Sequence, residues 1–186
     1  MKTININGEI TNEKAVELFE SFLKADEEYQ AIVDKNKKMA NADDKEKLEN
    51  LTVNIFTNGG DTFGSDAICD KIQDIKAKGV EVTTNGYGIV ASAGFEIFMC
   101  GDLRKSGEKT SFLMHGSQVC LHGDLVDVLD CGAFLRKKDE KFFSWLAENT
   151  KVTDEMIEKH KGKDWWFTYD EAVALGIVNC NTCKED

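Results

Sequence analysis

A serine between small residues, in Gly88-Ile89-Val90-Ala91-Ser92-Ala93-Gly94-Phe95, stands where a strand turns into a short apolar helix. Backbone N–H groups point outward at a helix N-terminus, and the helix dipole favours negative charge there. Such a place suits a nucleophile whose attack creates an oxyanion. Serine at this point is also an ordinary helix cap. A second stretch, Asn58-Gly59-Gly60, follows a buried strand and offers either bare N–H groups in a concave nest or a plain turn. A third, Phe112-Leu113-Met114-His115-Gly116, puts a histidine at the end of an apolar strand. Open α/β sheets place their sites at the ends of parallel strands, although a lone histidine there is more often structural. His122 and His160 lie in polar surroundings and read as solvent-facing.

The elements that must hold these residues alternate along the chain. Thr3 to Ile10 reads as a strand with a turn at Asn7-Gly8. Thr11-Asn12 caps a helix whose apolar face is Ala15, Leu18, Phe19, Phe22 and Leu23. Residues 26–50 weaken into charge, as a solvated helical extension, a loop, or a lid or docking arm. Leu51 to Phe56 is a strand, Asn58 to Asp61 a turn, and Ser65 to Ala77 a helix with Ile68, Ile72 and Ile75 on one face. Val80 to Thr84 is the next strand, which Gly86 to Gly88 break. Ser92 to Met99 is a short helix and Ser111 to Met114 a strand. Asp124 to Glu148 is a helix of about 25 residues, hence ~38 Å long. Thr168 and Glu171 form a capping box for a last helix that Gly176 ends. This alternation predicts an α/β fold with a largely parallel sheet.

Composition narrows the function classes. The 186 residues fit one domain, and 41% hydrophobic residues suffice for its core. The 23 basic against 34 acidic residues, net −11, have the wrong sign for a nucleic-acid surface. No apolar run approaches the roughly 20 residues of a membrane span. The first ten residues alternate polar and apolar without a signal-peptide core. The expectation is a cytoplasmic protein with no nucleic-acid or membrane partner. There is no proline, so turns rely on glycine, asparagine and aspartate. The six cysteines, Cys69, Cys100, Cys120, Cys131, Cys180 and Cys183, read as free thiols. Cys180-Asn181-Thr182-Cys183 alone has metal-like spacing, and one such pair is half a site.

Taken in order, the Gly-Gly turn, the Gly-x-x-Ala-Ser-x-Gly stretch, the strand ending Met-His and the long helix resemble the ClpP family, the proteolytic subunits of Clp proteases. The resemblance runs from about Leu51 to Val178. Near its end, Asp164-Trp165-Trp166-Phe167-Thr168-Tyr169-Asp170-Glu171-Ala172 is similar to the family's closing motif. The resemblance implies a ClpP/crotonase-like fold of repeated β-β-α-type units, with residues 116–149 as the long handle region. It places Ser92 on the nucleophile, His115 on the general base and Asp164 on the triad aspartate, with Asp170 as second choice. It gives Gly59 and Ala93 as oxyanion donors, and places Trp165 and Trp166 as a shield for the Asp164–His115 pair. It implies polypeptide substrates, a homo-oligomeric and heptameric ring with stacking through the handle helix, and neither cofactor nor metal.

Departures from the pattern are specific. The family's Ser-Pro-Gly-Gly reads Thr57-Asn58-Gly59-Gly60, and its usual methionine after the serine is Ala93. Gly162 and Lys163 stand where the family has an Asp-Arg pair that links stacked rings. The family's longer N-terminal segment, which meets the AAA+ unfoldase, has no counterpart ahead of the first strand, so an unfoldase partner is left open. Two other readings stand beside the serine endopeptidase: crotonase-like acyl-CoA chemistry and a catalytically silent ring-forming scaffold.

Overall fold

The computed structural model describes residues 2–180. Cys183, and with it the second half of the Cys-x-x-Cys spacing, lies outside them. Six strands form one sheet: β1 (Lys2–Asn7), β2 (Leu51–Thr57), β3 (Val82–Ala91), β4 (Leu103–Ser106), β5 (Ser111–Met114) and β6 (Trp165–Phe167). Six helices pack with it: α1 (Asn12–Lys37), α2 (Thr62–Ala77), α3 (Ala93–Met99), α4 (Leu125–Asn149), α5 (Asp154–His160) and α6 (Tyr169–Ala174). The sheet order is β1-β2-β3-β5-β6, with β4 also paired to β3. All pairings are parallel except β5 with β6. Among the described residues, no helix is long and apolar enough to cross a membrane.

Strand β3 positions the rest. The sequence predicts that Gly86 to Gly88 end it, yet it runs on to Ala91. Its first half pairs with β4 from Thr83 to Gly86, and its second half with β5 from Ile89 to Ala91. Between the halves the register to β2 shifts, as a bulge does. The glycines therefore bend a continuous strand: Gly88 takes φ +62° against the Phe56 ring. The bend carries Ala91 up to the start of α3.

The first helix takes the helical-extension reading as far as Lys37. Thr11 caps it, its hydroxyl accepting from Lys14 N–H. It continues twelve residues past Ala25 because its buried face continues through Ala25 and Tyr29. Asp26, read as the start of a charged segment, instead pairs with Lys78 and with Lys71 of α2 (3.7 Å). After Lys37 the loop is tied back by Asn36, which exchanges two hydrogen bonds with the Glu46 backbone at 2.8 and 2.9 Å. Strands β4 and β6 and helix α5 are absent from the sequence prediction; at four, three and seven residues they are too short to show a period.

One hydrophobic core runs through the molecule, with two regions of interest. Ile6, Val53, Ile55, Phe22, Ile68 and Ile72 fill the space between β1, β2 and the helices α1 and α2. Under α3, Phe95 contacts Phe112 (6.5 Å), Phe142 (6.4 Å) and Phe167 (6.1 Å), joining β5, α4 and β6 to the helix that starts after Ser92. The pairs with Phe112 and Phe142 are edge-to-face and the pair with Phe167 is stacked; such aromatic pairs add ~1 kcal/mol each to area burial. Only the second half of α4 shares this core: Leu146 is fully buried, while Leu125 is 73% and Leu129 62% exposed.

Buried Arg104 of β4 closes the far end. Its guanidinium donates to the carbonyls of Gly101 (3.1 Å), Gly176 (2.9 Å) and Ile177 (2.8 Å). Its own N–H donates to Asn179 Oδ1 at 2.7 Å. Arg104→Met should cost about 3 kcal/mol in urea unfolding, because buried carbonyls lose charged donors. Lys161→Met, which removes an exposed ion pair with Glu158, should change stability by less than about 0.5 kcal/mol.

Candidate active site

Ser92 is the single non-glycine residue at positive φ among the described residues, at φ 54° and ψ −124°. An L-residue held there stores roughly 1–3 kcal/mol, so its surroundings must impose the conformation. They do so from both sides. Ser92 N–H donates to Leu113 O on β5 (2.9 Å), and Ser92 C=O accepts from Phe95 N–H (2.8 Å) at the head of α3. The side chain makes no capping bond, so the plain cap reading of this serine does not describe the fold. The backbone is held at both ends and the hydroxyl is left to the cavity.

The Thr57–Gly60 turn presses against this backbone. A Cβ at Gly59, whose φ is +98°, would stand 2.6 Å from Ser92 Cβ and 2.8 Å from the Ala91 carbonyl oxygen. A Cβ at Gly94 would stand 2.1 Å from Thr57 Cγ2. Both glycines are therefore demanded by contact. The turn also spends one amide internally: Gly59 N–H donates to Thr57 Oγ1 at 3.0 Å. Gly60, the second glycine of the candidate nest, lines the same cavity as Ser92 and Ala93.

That cavity, of about 250 Å³, also reaches His115 at the end of β5. His115 Nδ1 lies 2.6 Å from the Gly116 carbonyl. A carbonyl only accepts, so Nδ1 carries the proton and Nε2 is the free acceptor in the neutral ring. No hydrogen bond joins His115 to Ser92 or to Asp164. The Gly116-Ser117 loop is fixed by α4: Ser117 N–H donates to Asp139 Oδ2 (2.9 Å) and Ser117 Oγ to Asp139 Oδ1 (2.7 Å). Gly116 leaves no space for more, since a Cβ would stand 2.8 Å from Asp139 Oδ2.

Asp164 is exposed, in the loop between α5 and β6. It shares a second cavity, of about 460 Å³, with His115 and Asp139. The tryptophan shield expected over the Asp164–His115 pair is not found. Trp165 is buried and stacks on His160 (centroids 4.0 Å apart), and Trp166 is 53% exposed. His160 is accordingly half-buried rather than solvent-facing, while His122 is exposed as predicted. Asp170 sits in the first turn of α6 beside the Thr168–Glu171 capping box.

Glu96 is the polar residue that sequence reading missed. It follows Ser92 by four residues, lies on the wall of the Ser92 cavity, and keeps only 22% of its side chain exposed. Burial pushes its carboxyl up to about 7, with the charges of Asp66 and Asp139 adding and Lys138 opposing. The available signal was a lone acid within the otherwise apolar Ala93–Met99 helix.

Strain at Ser92 has a direct readout. Ser92→Gly and Ser92→Ala both remove the hydroxyl, but only glycine takes φ 54° without strain. The glycine variant should be the more stable of the two by about 1 kcal/mol in chemical denaturation.

Comparison with known proteins places this geometry in context. The family model for Clp protease matches residues 1–181. The chain is 32% identical over 129 residues to ATP-dependent Clp protease proteolytic subunit 2 of Pseudomonas aeruginosa, covering 67% of this chain and 63% of that one. It is 31% identical over 142 residues to the ATP-dependent Clp protease proteolytic subunit of Paracoccus denitrificans, covering 75% and 69%. The match thus spans less than two thirds of the Pseudomonas relative's length. A solved mutant of ClpP1 from Listeria monocytogenes superposes over all of this chain and 93% of its own, with a TM-score of 0.76 at 25% identity. The α/β sheet, the long α4 and the family match along nearly the whole sequence agree, and the chain belongs to the Clp protease family.

Proposed function

We propose that the protein is a serine endopeptidase that cleaves unfolded or short polypeptides. One observation carries the reading: Ser92 is held at positive φ with its hydroxyl uncapped, in a cavity that also contains His115. In the mechanism, His115 Nε2 takes the Ser92 Oγ proton as Oγ attacks the peptide carbonyl. The Nδ1 proton already held by the Gly116 carbonyl leaves Nε2 in the form that accepts. The imidazolium then passes its proton to the leaving amine, and water releases the acyl group from Ser92 by the reverse sequence. Ala93 N–H faces the developing oxyanion, joined by the Gly59-Gly60 turn. Because Thr57 engages the Gly59 amide, Gly60 is the better-placed second donor. One donor of this kind contributes roughly 3 kcal/mol to the barrier reduction.

Asp164 completes the triad in this reading, and requires His115 to turn from Gly116 toward the second cavity. Asp139 gives that turn a trigger. It bonds the loop after His115 from α4, whose first half carries exposed Leu125, Val126, Leu129 and Phe134. Burying this apolar half against a second ring would move α4 and, through Asp139, the loop. The assembly is a homo-oligomeric ring, heptameric in the family's manner, with stacking through α4 and an AAA+ unfoldase as an optional partner. The unformed His115–Asp164 bond favours one second reading, a ring-forming scaffold without activity.

A fluorophosphonate probe separates the two. Intact mass should show one adduct on the native protein and none on Ser92→Ala; absence of the adduct on an assembled ring would assign the scaffold role. Peptide turnover should fall on the order of 10⁶-fold in Ser92→Ala or His115→Ala, and by about 10⁴ in Asp164→Asn.

A further inference from the structure

The proposed reaction leaves unexplained why a carboxylate lies on the wall of the cavity beside Ser92. Residues 92 and 96 are one helical turn apart, with ~6 Å of rise between them, so both face the same space. The other side chains that line this cavity beside Ser92 and His115 include Asn58, Thr62, Ser117 and Gln118. This is a polar chamber, where a leucine or methionine side chain would meet hydrogen-bonding groups that it cannot satisfy.

The charges around Glu96 do not balance. From α4, Lys138 approaches it to 3.9 Å but lies 2.9 Å from Asp66 of α2, which is its closer partner. From α4 also, Asp139 adds a further negative charge to the field at Glu96. Three acids therefore share one lysine. Lys76, Arg104 and Lys141 line the neighbouring cavity with Glu96 but form no ion pair with it, and the thiols Cys69 and Cys100 there add no cation. Glu96 keeps only this loose pair with Lys138, and the cluster leaves a negative surplus at the cavity wall.

We propose that Glu96 is a specificity-determining residue, making the cavity beside Ser92 a subsite for a cationic side chain, lysine or arginine, adjacent to the bond under attack. This rests on the reading of Ser92 as the nucleophile. A lysine's four-carbon stem spans the turn between Ser92 and Glu96, and its ammonium supplies the missing positive charge as a charge-assisted hydrogen bond. Because burial and the neighbouring acids hold Glu96 at about 7, the cation favours its ionised form, and selectivity rises with pH through that value.

The test compares two otherwise identical blocked peptides, with lysine or leucine at the residue before the cleavage point. Their binding is measured on Ser92→Ala, and their turnover on the native protein. Ser92→Ala should bind the lysine peptide about tenfold more tightly than the leucine peptide. That ratio should grow from pH 6 to pH 8, and fall to about one in Ser92→Ala/Glu96→Gln. A change of charge on His115, in the same cavity, would also act on the lysine peptide alone, so the pH trend counts for Glu96 only where Glu96→Gln abolishes it. Replacing Glu96 by lysine should turn the preference toward a glutamate peptide, which a merely structural role for Glu96 would not do. Equal binding of the lysine and leucine peptides, or a ratio unchanged by Glu96→Gln, overturns the proposal whatever the turnover. A preference that follows Glu96 while the native protein cleaves neither peptide sustains the subsite and overturns the endopeptidase reading instead.

Discussion

Two backbone turns meet without side chains between them, and most of the site follows from that contact. The end of β2 and the end of β3 approach so closely that one carbon at position 59 would fall within 2.6 Å of Ser92 Cβ. At this spacing the chain around Ser92 has no freedom to relax toward ordinary dihedrals, and the strained φ persists because the packing over-determines it. The bend in β3, the bulge opposite β2 and the short α3 all serve the same approach. The aromatic cluster around Phe95 then anchors α3 from below, so the serine is gripped by turn, strand and core together.

Charge around this frame is arranged less symmetrically than the packing. Position 96 could have carried an apolar residue, as its neighbours Phe95 and Ile97 do, at no cost to the core. It carries instead an acid whose neighbours raise the free energy of its charged form. Strain at Ser92 and charge at Glu96 are separate investments in one small chamber, and perturbed groups tend to gather where a site works. The loop after His115 is held by α4, while the strand before it is bonded to the serine, so the histidine stands where two holds meet.

Much of this was legible from residue order. The Thr11 cap, the Ile68-Ile72-Ile75 face, the Thr168–Glu171 box and the 25-residue α4 each rest on local patterns strong enough to survive tertiary context. Residues 26–37 read as a helical extension, a loop or a lid without a choice among them, because surrounding charge hides the one buried residue, Tyr29, that settles it. β3 was cut short because glycine signals a break unless a neighbouring strand takes over the pairing, which no local pattern reveals. In the site, the order of motifs brought Ser92 and His115 together. It did not show where Asp164 and the tryptophans point, since a loop aspartate's orientation depends on contacts far away in sequence. Nor did it notice Glu96, because the helix was judged by its apolar character.

The Arg104 contacts carry a consequence for the order of events in the cell. On a ribosome, Arg104 emerges more than seventy residues before Gly176 and Ile177, whose carbonyls receive its guanidinium. Until they arrive, burying that cation would be prohibitively unfavourable. The growing chain must therefore keep the β4 end of its sheet wet until those residues are made. Closure of this end is thus postponed until the chain has passed α6. A half-made molecule would then be sticky on the very side where α4 and β6 have yet to settle, which makes that interval the one in which a chaperone matters most.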